Sequence, residues 1–197
     1  MRRARWVDVR REAGRNMAKI ARVVKGSTTI ERGLAMVGKK IQDAFNEQIK
    51  HELASSYLYL SMAACFHSKG LDGMAKWMTV QAKEENGHAM KFFDHIVERQ
   101  GRVELAALDK PQLEWKSALD AFKAAYKHEQ FITGNINDLV GLAQKEKDNA
   151  AQILLQWFVK EQVEEEANTS KVVQMLEMAG DSGQALLIMD AQLGKRE

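Results

Sequence analysis

The sequence predicts an all-α protein whose main part is a four-helix bundle with one long crossover and a short fifth helix. Two observations support this fold class. The 197 residues include a single proline and few alternating β-branched segments, which favours long helices over strands. In four segments of about thirty residues, apolar and small side chains recur three, four or seven positions apart, as one buried face of a helix requires.

The first two helices are expected to be antiparallel neighbours, because only a short turn at residues 68–70 separates them and Gly70 suits the position that ends a helix. The first helix covers residues 38–68, and its buried face comprises Ile41, Phe45, Ile49, Ser56, Tyr59 and Ala63. The second ends at Gln100, and its buried face comprises Met74, Met78, Gln81, Glu85, His88, Phe92 and Ile96.

Residues 102–116 contain Pro111 and no sustained period, so we expect them to cross the length of the bundle. This long link allows the third helix to run parallel to the second. Ser117, with Asp120 three positions later, resembles a capping box at the start of the third helix. The buried face of that helix comprises Phe122, Ala125, Glu129, Ile132, Ile136, Leu139 and Ala143.

Asp148 is suited to cap the fourth helix. The buried face of the fourth helix comprises Ala151, Leu155, Phe158, Gln162, Glu165, Thr169, Val172 and Leu176. Residues 180–183 (GDSG) end this helix, and a short fifth helix is predicted over residues 184–193.

Charge divides the chain into parts of opposite sign. Residues 1–35 carry ten basic and three acidic residues, which leaves 19 basic and 24 acidic residues in the remainder. We therefore expect a basic N-terminal extension (1–35), a four-helix bundle (36–179) and a C-terminal helix with its tail (180–197). The single cysteine excludes an intrachain disulfide and fits a reducing compartment. The longest uncharged stretch, residues 53–68, is too short to span a membrane. These features predict a soluble, cytoplasmic protein.

The candidate chemistry lies in four glutamates, one on the buried face of each long helix. Each lies about 12–17 residues from the start of its helix, which at 1.5 Å per residue places all four near the middle of the bundle. They are Glu52, Glu85, Glu129 and Glu165. Clustered buried carboxylates need a counter-charge, and no lysine or arginine lies near them on these faces, so a pair of metal ions is expected. His88, three positions after Glu85, adds a nitrogen ligand that favours iron over calcium or magnesium.

Several of these residues also have simpler interpretations. Any one glutamate alone is as well explained by a boundary side chain that reaches solvent. Tyr59, two turns after Glu52, either donates a hydrogen bond or an electron to the metals or packs in the core. Gln162 stands where a symmetric site would have repeated Glu-x-x-His, so the second metal should bind more weakly. A further acidic group beside these positions is either a third, outer metal site or a solvated surface: Glu84, Glu161 and Glu164.

Five motifs spread over residues 36–197 together resemble the prokaryotic non-haem ferritin family. They are 46–52 (NEQIKHE), 55–61 (SSYLYLS), 84–90 (EENGHAM), 126–129 (YKHE) and 155–166 (LQWFVKEQVEEE). The resemblance implies oxidation of Fe(II) by O2 or H2O2 at a di-iron ferroxidase centre. It also implies storage of ferric oxyhydroxide in a hollow homo-oligomeric shell, usually of 24 subunits. No haem is predicted.

The resemblance also implies a role for individual residues. Glu52, Glu85 and His88 are expected to bind one iron. Glu85, Glu129 and Glu165 are expected to bind the second, with Gln162 nearby. Glu84, Glu161 and Glu164 are expected to hold a third, and Tyr59 and Trp157 are the redox-capable neighbours. The short fifth helix resembles the one that lines the four-fold axes of such shells.

Two features depart from the family pattern. Asn86 and Gly87 occupy helix-interior positions where better helix formers are usual, and the basic extension has no counterpart. The extension is interpreted in three ways. First, translation begins downstream, at Met17 or Met36, or the extension is an appended or non-native segment. Second, it targets an organelle, and third, it binds nucleic acid in a salt-dependent manner. Two alternative functions are a di-iron oxidase or peroxidase of a small substrate, and a DNA-binding protective shell that uses residues 1–35.

Overall fold

The computed structural model describes residues 36–196, and every regular element in that range is a helix. The helices are α1 (Lys39–Ser68), α2 (Asp72–Glu98), α3 (Ala118–Lys145), α4 (Asn149–Ala179) and α5 (Gly183–Leu193). The predicted fold class, four long helices followed by a short fifth, is confirmed. The predictions for the basic extension lie outside the described residues. No helix between residues 36 and 196 is both long and apolar enough to cross a membrane.

The bundle consists of two helical hairpins, α1 with α2 and α3 with α4, which are joined chiefly through contacts between α1 and α3. The α1–α2 turn passes through Gly70 at a φ of 71°, a left-handed conformation that glycine adopts without strain. Ser117 Oγ accepts a hydrogen bond from the Asp120 N–H (3.0 Å), and Asp148 Oδ1 accepts one from the Ala151 N–H (3.0 Å). The two predicted N-terminal caps of α3 and α4 are therefore present.

The crossover between α2 and α3 follows α1 along most of its length. Near one end, the Asn46 side chain donates to the Arg102 carbonyl (3.1 Å) and accepts from the Glu104 N–H (3.0 Å). Further along α1, Ser61 Oγ donates to the Gln112 carbonyl (2.6 Å). These side-chain hydrogen bonds satisfy part of the crossover backbone, which has no helix or sheet to do so.

A layer of buried polar side chains divides the apolar core into two clusters. One cluster contains Phe45, Phe92 and Phe158, with the rings of Phe92 and Phe158 stacked at 4.2 Å. The other is built around Phe122 and Trp77. The polar layer between them comprises Gln48, Glu52, Ser55, Gln81, Glu85, His88, Glu129, Gln162, Glu165 and Thr169. The middle of the bundle is thus the place where the chemistry-bearing side chains meet.

All predicted face residues of α2, α3 and α4 are buried, but α1 requires one correction. Ser56 is only half-buried, because its hydroxyl faces the seam with α2 and donates to the Ala82 carbonyl (2.7 Å). The neighbouring Ser55 is fully buried in its place and donates to the His51 carbonyl (3.0 Å).

Helix α5 docks against the beginning of α2 and caps it. Asp190 accepts hydrogen bonds from the N–H groups of Gly73 (3.1 Å) and Met74 (2.7 Å). These first-turn donors have no partner within their own helix, and Leu71 at the N-cap supplies none. The approach is close enough that a Cβ on Gly73 would lie 1.8 Å from the Asp190 carbonyl oxygen. The absence of a side chain at position 73 is therefore what permits this contact.

A matched pair of substitutions in α2 tests this docking. Gly73→Ala should lower the free energy of unfolding by about 1–3 kcal/mol, because the added methyl group displaces α5. Gly87→Ala places its methyl group in open space and should raise the free energy of unfolding by about 0.5–1 kcal/mol, since the helix no longer bears the entropic cost of glycine. Denaturant unfolding of both iron-free variants measures the two effects, and equal shifts of the same sign would contradict the docking.

Candidate metal centre

All four long helices contribute to the polar layer at their middle turns. Glu52 lies on α1, Glu85 and His88 on α2, Glu129 on α3 and Glu165 on α4, and each is at most 4% exposed. The helical period brings one glutamate of each helix to the inner face, and the similar distance from each helix start brings them to one level. The structure thus brings together the four glutamates and the histidine that the sequence singles out.

The first group of ligand atoms belongs to Glu52, Glu85 and His88, which all lie within 4.8 Å of one another. His88 Nδ1 is 3.4 Å from Glu85 Oε2 and 4.0 Å from Glu52 Oε2. Glu52 Oε1 accepts a hydrogen bond from Gln48 Nε2 (2.8 Å), but the buried Oε2 has no hydrogen-bond partner. An unsatisfied carboxylate oxygen beside an imidazole and a second carboxylate fits a metal cation, because a buried charge otherwise needs a partner.

A second group comprises His88, Glu161 and Glu165, again with ligand atoms within 4.8 Å. His88 Nε2 lies 3.7 Å from Glu161 Oε1. His88 therefore contacts carboxylates through both ring nitrogens: Nδ1 faces Glu52 and Glu85, and Nε2 faces Glu161. The other two residues of the expected outer site are not members of this group: Glu84 is ion-paired with Arg196, and Glu164 is exposed.

Three residues outside the predicted set belong to the centre. Gln81 Nε2 donates to Glu85 Oε1 and to Glu165 Oε2, both at 2.8 Å, and so bridges α2 and α4. Gln48 holds Glu52 in the same way. Both glutamines precede a site glutamate by four positions, a spacing visible in the sequence that places them on the same helix face. Arg196 reaches Gln81 and Glu84 from the chain end, and no local pattern indicates it.

Glu129 is held by partners on α1 and α4. The buried Tyr59 hydroxyl donates a hydrogen bond to Glu129 Oε1, so the tyrosine both contacts a site glutamate on α3 and packs in the core. Gln162 Nε2 lies 3.3 Å from Glu129 Oε2. The Trp157 ring lies beside the imidazole of His88, with 5.5 Å between centroids. Two oxidisable side chains, Tyr59 and Trp157, thus border the cluster on different sides.

Comparisons with known proteins agree with this geometry. A family profile described as Ferritin-like domain matches residues 42–179. The chain belongs to the ferritin family. It is 41% identical to the bacterial non-heme ferritin of Bacteroides fragilis over 161 residues, which cover 82% of this chain and 100% of that relative. It is 38% identical to the bacterial non-heme ferritin of Campylobacter jejuni, with 79% of this chain and 93% of the relative covered.

A solved structure supports the same assignment. An open pore ferritin from the archaeon Archaeoglobus fulgidus superposes with a TM-score of 0.81 at 48% identity, covering 82% of this chain and 99% of that chain. The resemblance to prokaryotic non-haem ferritins is therefore confirmed. The rest of this chain has no counterpart in the Bacteroides relative, since that ferritin is matched over its whole length.

When no cation is bound to this ferritin's centre, several of its side chains hold a proton more tightly than usual. Burial and the negative charge of Glu85 raise the pKa of Glu52 and Glu129 well above the ordinary value, and they raise the pKa of Glu165 to about 7. Burial lowers the pKa of His88, but the hydrogen bond to Glu85 and the nearby carboxylates outweigh it and raise that pKa to about 9. A cation that binds here must displace these protons.

We therefore predict that cation binding releases protons at neutral pH. Titration of the iron-free protein with Zn(II), which is not oxidised, should release at least about one proton per subunit at pH 7. The release should decline as the pH rises towards 9, because Glu165, with a pKa of about 7, and Glu52, with a pKa of about 8, lose their protons before the cation binds. At pH 9 His88, with a pKa of about 9, still holds part of its proton. A pH-indicator dye in weak buffer measures the release. Glu129→Gln should release fewer protons, and no release at pH 7 would contradict the raised pKa values.

Proposed function

We propose that this ferritin oxidises Fe(II) with O2 or H2O2 at the buried centre and stores the ferric oxyhydroxide product inside a hollow homo-oligomeric shell of 24 subunits. The observation that carries the proposal is the convergence of four glutamates and His88 from four helices, with Glu52 Oε2 left without a hydrogen-bond partner. A cluster of buried carboxylates with one imidazole is a ligand set suited to iron.

We assign the first iron position to Glu52, Glu85 and His88, whose ligand atoms lie together. We assign the second to Glu85, Glu129 and Glu165, with Gln162 beside it. Glu85 is then shared between the two ions. The second position has only oxygen ligands, so it should bind Fe(II) more weakly than the first. This difference suits an ion that is in transit to a store.

We assign a third iron position to Glu161, together with Glu84 and Glu164. Glu161 supports it best, since its carboxylate lies 3.7 Å from His88 Nε2 and so adjoins the first position. Glu84 is engaged by Arg196, and occupation of the third position by iron therefore requires that this ion pair opens.

The residues around the ligands have two roles: they orient the carboxylates, and they donate electrons. Gln48, Gln81 and Gln162 each donate an amide N–H to a site glutamate, which fixes the carboxylate orientation. Oxidation of two Fe(II) ions provides two electrons, which with two protons convert O2 to H2O2, or H2O2 to two molecules of water. We propose that Tyr59 and Trp157 serve as additional one-electron donors next to the ions, because their rings border Glu129 and His88.

Assembly into a shell is supported by the surface of α5. Within this helix only Met189 is buried, whereas Leu187 and Ile188 are 63% and 61% exposed. Adjacent exposed aliphatic side chains on one helix favour burial against another subunit. We propose that α5 meets copies of itself around the four-fold axes of the shell. We also place the protein in the cytoplasm, which its single cysteine, Cys65, buried and unbonded, supports.

The alternative functions receive no support from residues 36–196. A DNA-binding role depends on the basic extension, which lies outside them, and stays a prediction. A small-substrate di-iron oxidase is disfavoured by the second metal position, which lacks a histidine because residues 162–165 read QVEE in place of Glu-x-x-His.

The ferroxidase proposal is tested by a pair of Glu→Gln substitutions in α1. Glu52→Gln replaces a carboxylate of the proposed first iron position with an amide. It should slow the initial oxidation of two Fe(II) per subunit by about tenfold or more, since even the residues that orient metal ligands are worth about 10–100-fold. Glu47→Gln makes the same replacement on the exposed side of the same helix and should leave the rate unchanged. Stopped-flow absorbance of the ferric product measures both.

The same experiment tests storage. After aerobic loading with an excess of Fe(II), the wild-type protein should co-migrate with a ferric core on gel filtration, and its oxidation should outpace that in buffer. Oxidation by the wild type at the buffer rate, or an unchanged rate in Glu52→Gln, would refute the proposal.

A further inference from the structure

The C-terminal tail, residues 194–196, lies against α2 beside the metal centre. Its backbone N–H groups donate to carbonyls of α5, so the tail continues that helix as a series of turns. Helix α5 is itself anchored to the start of α2 through Asp190. Gly194 also makes a close contact there, since a Cβ on it would lie 3.0 Å from the Cα of Gly73. The contacts of Asp190 and Gly194 with the start of α2 therefore fix the position of Arg196.

Arg196 makes three contacts along one face of α2. Its Nη1 donates to Gln81 Oε1 at 2.8 Å, and its Nη2 donates to the carboxylate of Glu84. The guanidinium carbon lies 4.4 Å from the ring centroid of Trp77, in a cation–π arrangement. A planar guanidinium serves all three partners at once, because it carries several donors in one plane and stacks on an aromatic ring.

The first contact determines how the buried amide of Gln81 is oriented. Arginine can only donate, so the atom of Gln81 that faces it must be the oxygen. The amide nitrogen then faces Glu85 and Glu165, to which it donates at 2.8 Å each. If the amide were reversed, its N–H groups would face the guanidinium and its oxygen would face two carboxylates. Arg196 thus holds Gln81 in the orientation that bridges two site glutamates.

The second contact places a positive charge on an acidic residue that the outer metal position would use. Glu84 immediately precedes Glu85 in α2, and Arg196 is the basic residue that pairs with it in the described part of the chain. A metal cation and the guanidinium compete for the same carboxylate oxygens. Binding of one must weaken binding of the other, because linkage between two ligands of one site is reciprocal.

We propose that Arg196 is a positioning residue of the iron centre and the competitor of a metal cation at Glu84, an inference that rests on the proposed function. Before iron binds, the tail fixes Gln81 between Glu85 and Glu165 and neutralises Glu84. When a cation binds at Glu84, the guanidinium leaves, and the tail is released from α2. The C-terminal tail thereby couples occupancy of the outer position to the arrangement of the inner one.

The test compares two charge-removing variants of neighbouring tail residues in the full-length, iron-free protein. Arg196→Gln removes the competitor, whereas Lys195→Gln removes the same charge from an exposed side chain. Zn(II) serves as the probe, and its binding is followed by competition with a fluorescent zinc indicator. Arg196→Gln should strengthen Zn(II) binding at the outer position by about tenfold, within the usual range of coupling between sites. Lys195→Gln should match the wild type.

Two further variants assign the effect to Glu84. Glu84→Gln should remove the outer binding event, and adding Arg196→Gln to it should then have no further effect on the outer position. Arg196→Lys, which keeps the charge, should restore competition. Hydrogen exchange provides a second readout: the amides of residues 194–196 should exchange faster when Zn(II) saturates the wild-type protein, and this acceleration should be absent in Glu84→Gln.

The outcomes separate this proposal from the function on which it rests. Equal Zn(II) affinities in Arg196→Gln and Lys195→Gln, or a tail whose exchange is unaffected by Zn(II), would overturn the role of Arg196 even if iron is oxidised normally. Failure of the wild type to oxidise Fe(II) would instead refute the ferroxidase proposal, and the Zn(II) competition would still be measurable. Gel filtration of each variant checks that the subunits assemble as the wild type does.

Discussion

The need to keep four carboxylates inside a helical bundle is the constraint on which the rest of this structure depends. A buried carboxylate is costly unless it is protonated, hydrogen-bonded or bound to a cation. The fold meets this cost with a polar layer, in which Gln48, Gln81, Gln162 and Tyr59 each donate to a glutamate. Because that layer contributes little apolar burial, the bundle needs an apolar cluster on each side of it, and helices of 27 to 31 residues provide both.

His88 makes the two halves of the centre chemically different. Its Nδ1 faces Glu85 and Glu52, and its Nε2 faces Glu161. On the opposite side, Glu129 accepts hydrogen bonds from a tyrosine and a glutamine, and within residues 36–196 it shares no group of metal-ligand atoms with a histidine. One half of the layer therefore offers nitrogen and oxygen ligands, and the other offers oxygen alone. Two ions that shared Glu85, as we propose, would therefore bind with different affinities, which suits a centre from which one ion must leave.

The sequence predicts most of the fold and the core of the site because both depend on helical periodicity. A 3.6-residue period identifies the inward face of each helix, and the distance from the helix start identifies the level. The period does not decide between two adjacent positions near the edge of a face, which is why it predicts burial of Ser56 although Ser55 is the buried residue. Contacts between distant parts of the chain carry no such period. Asp190 caps α2 from 116 positions away, and Arg196 reaches Gln81 from 115.

The two ways in which the cation-free centre balances its charge respond differently to conditions. Protons on Glu52, Glu129, Glu165 and His88 are bound with raised pKa values, so their number changes with pH. A guanidinium stays charged throughout the pH range in which these groups titrate, because the pKa of arginine is about 12 or higher. An incoming cation therefore displaces protons from the inner positions and, if the tail acts as we propose, an arginine from the outer one. Displacement of protons from the inner positions becomes easier as the pH rises, whereas displacement of the arginine from the outer position does not. The order in which the inner and outer positions fill should therefore depend on pH.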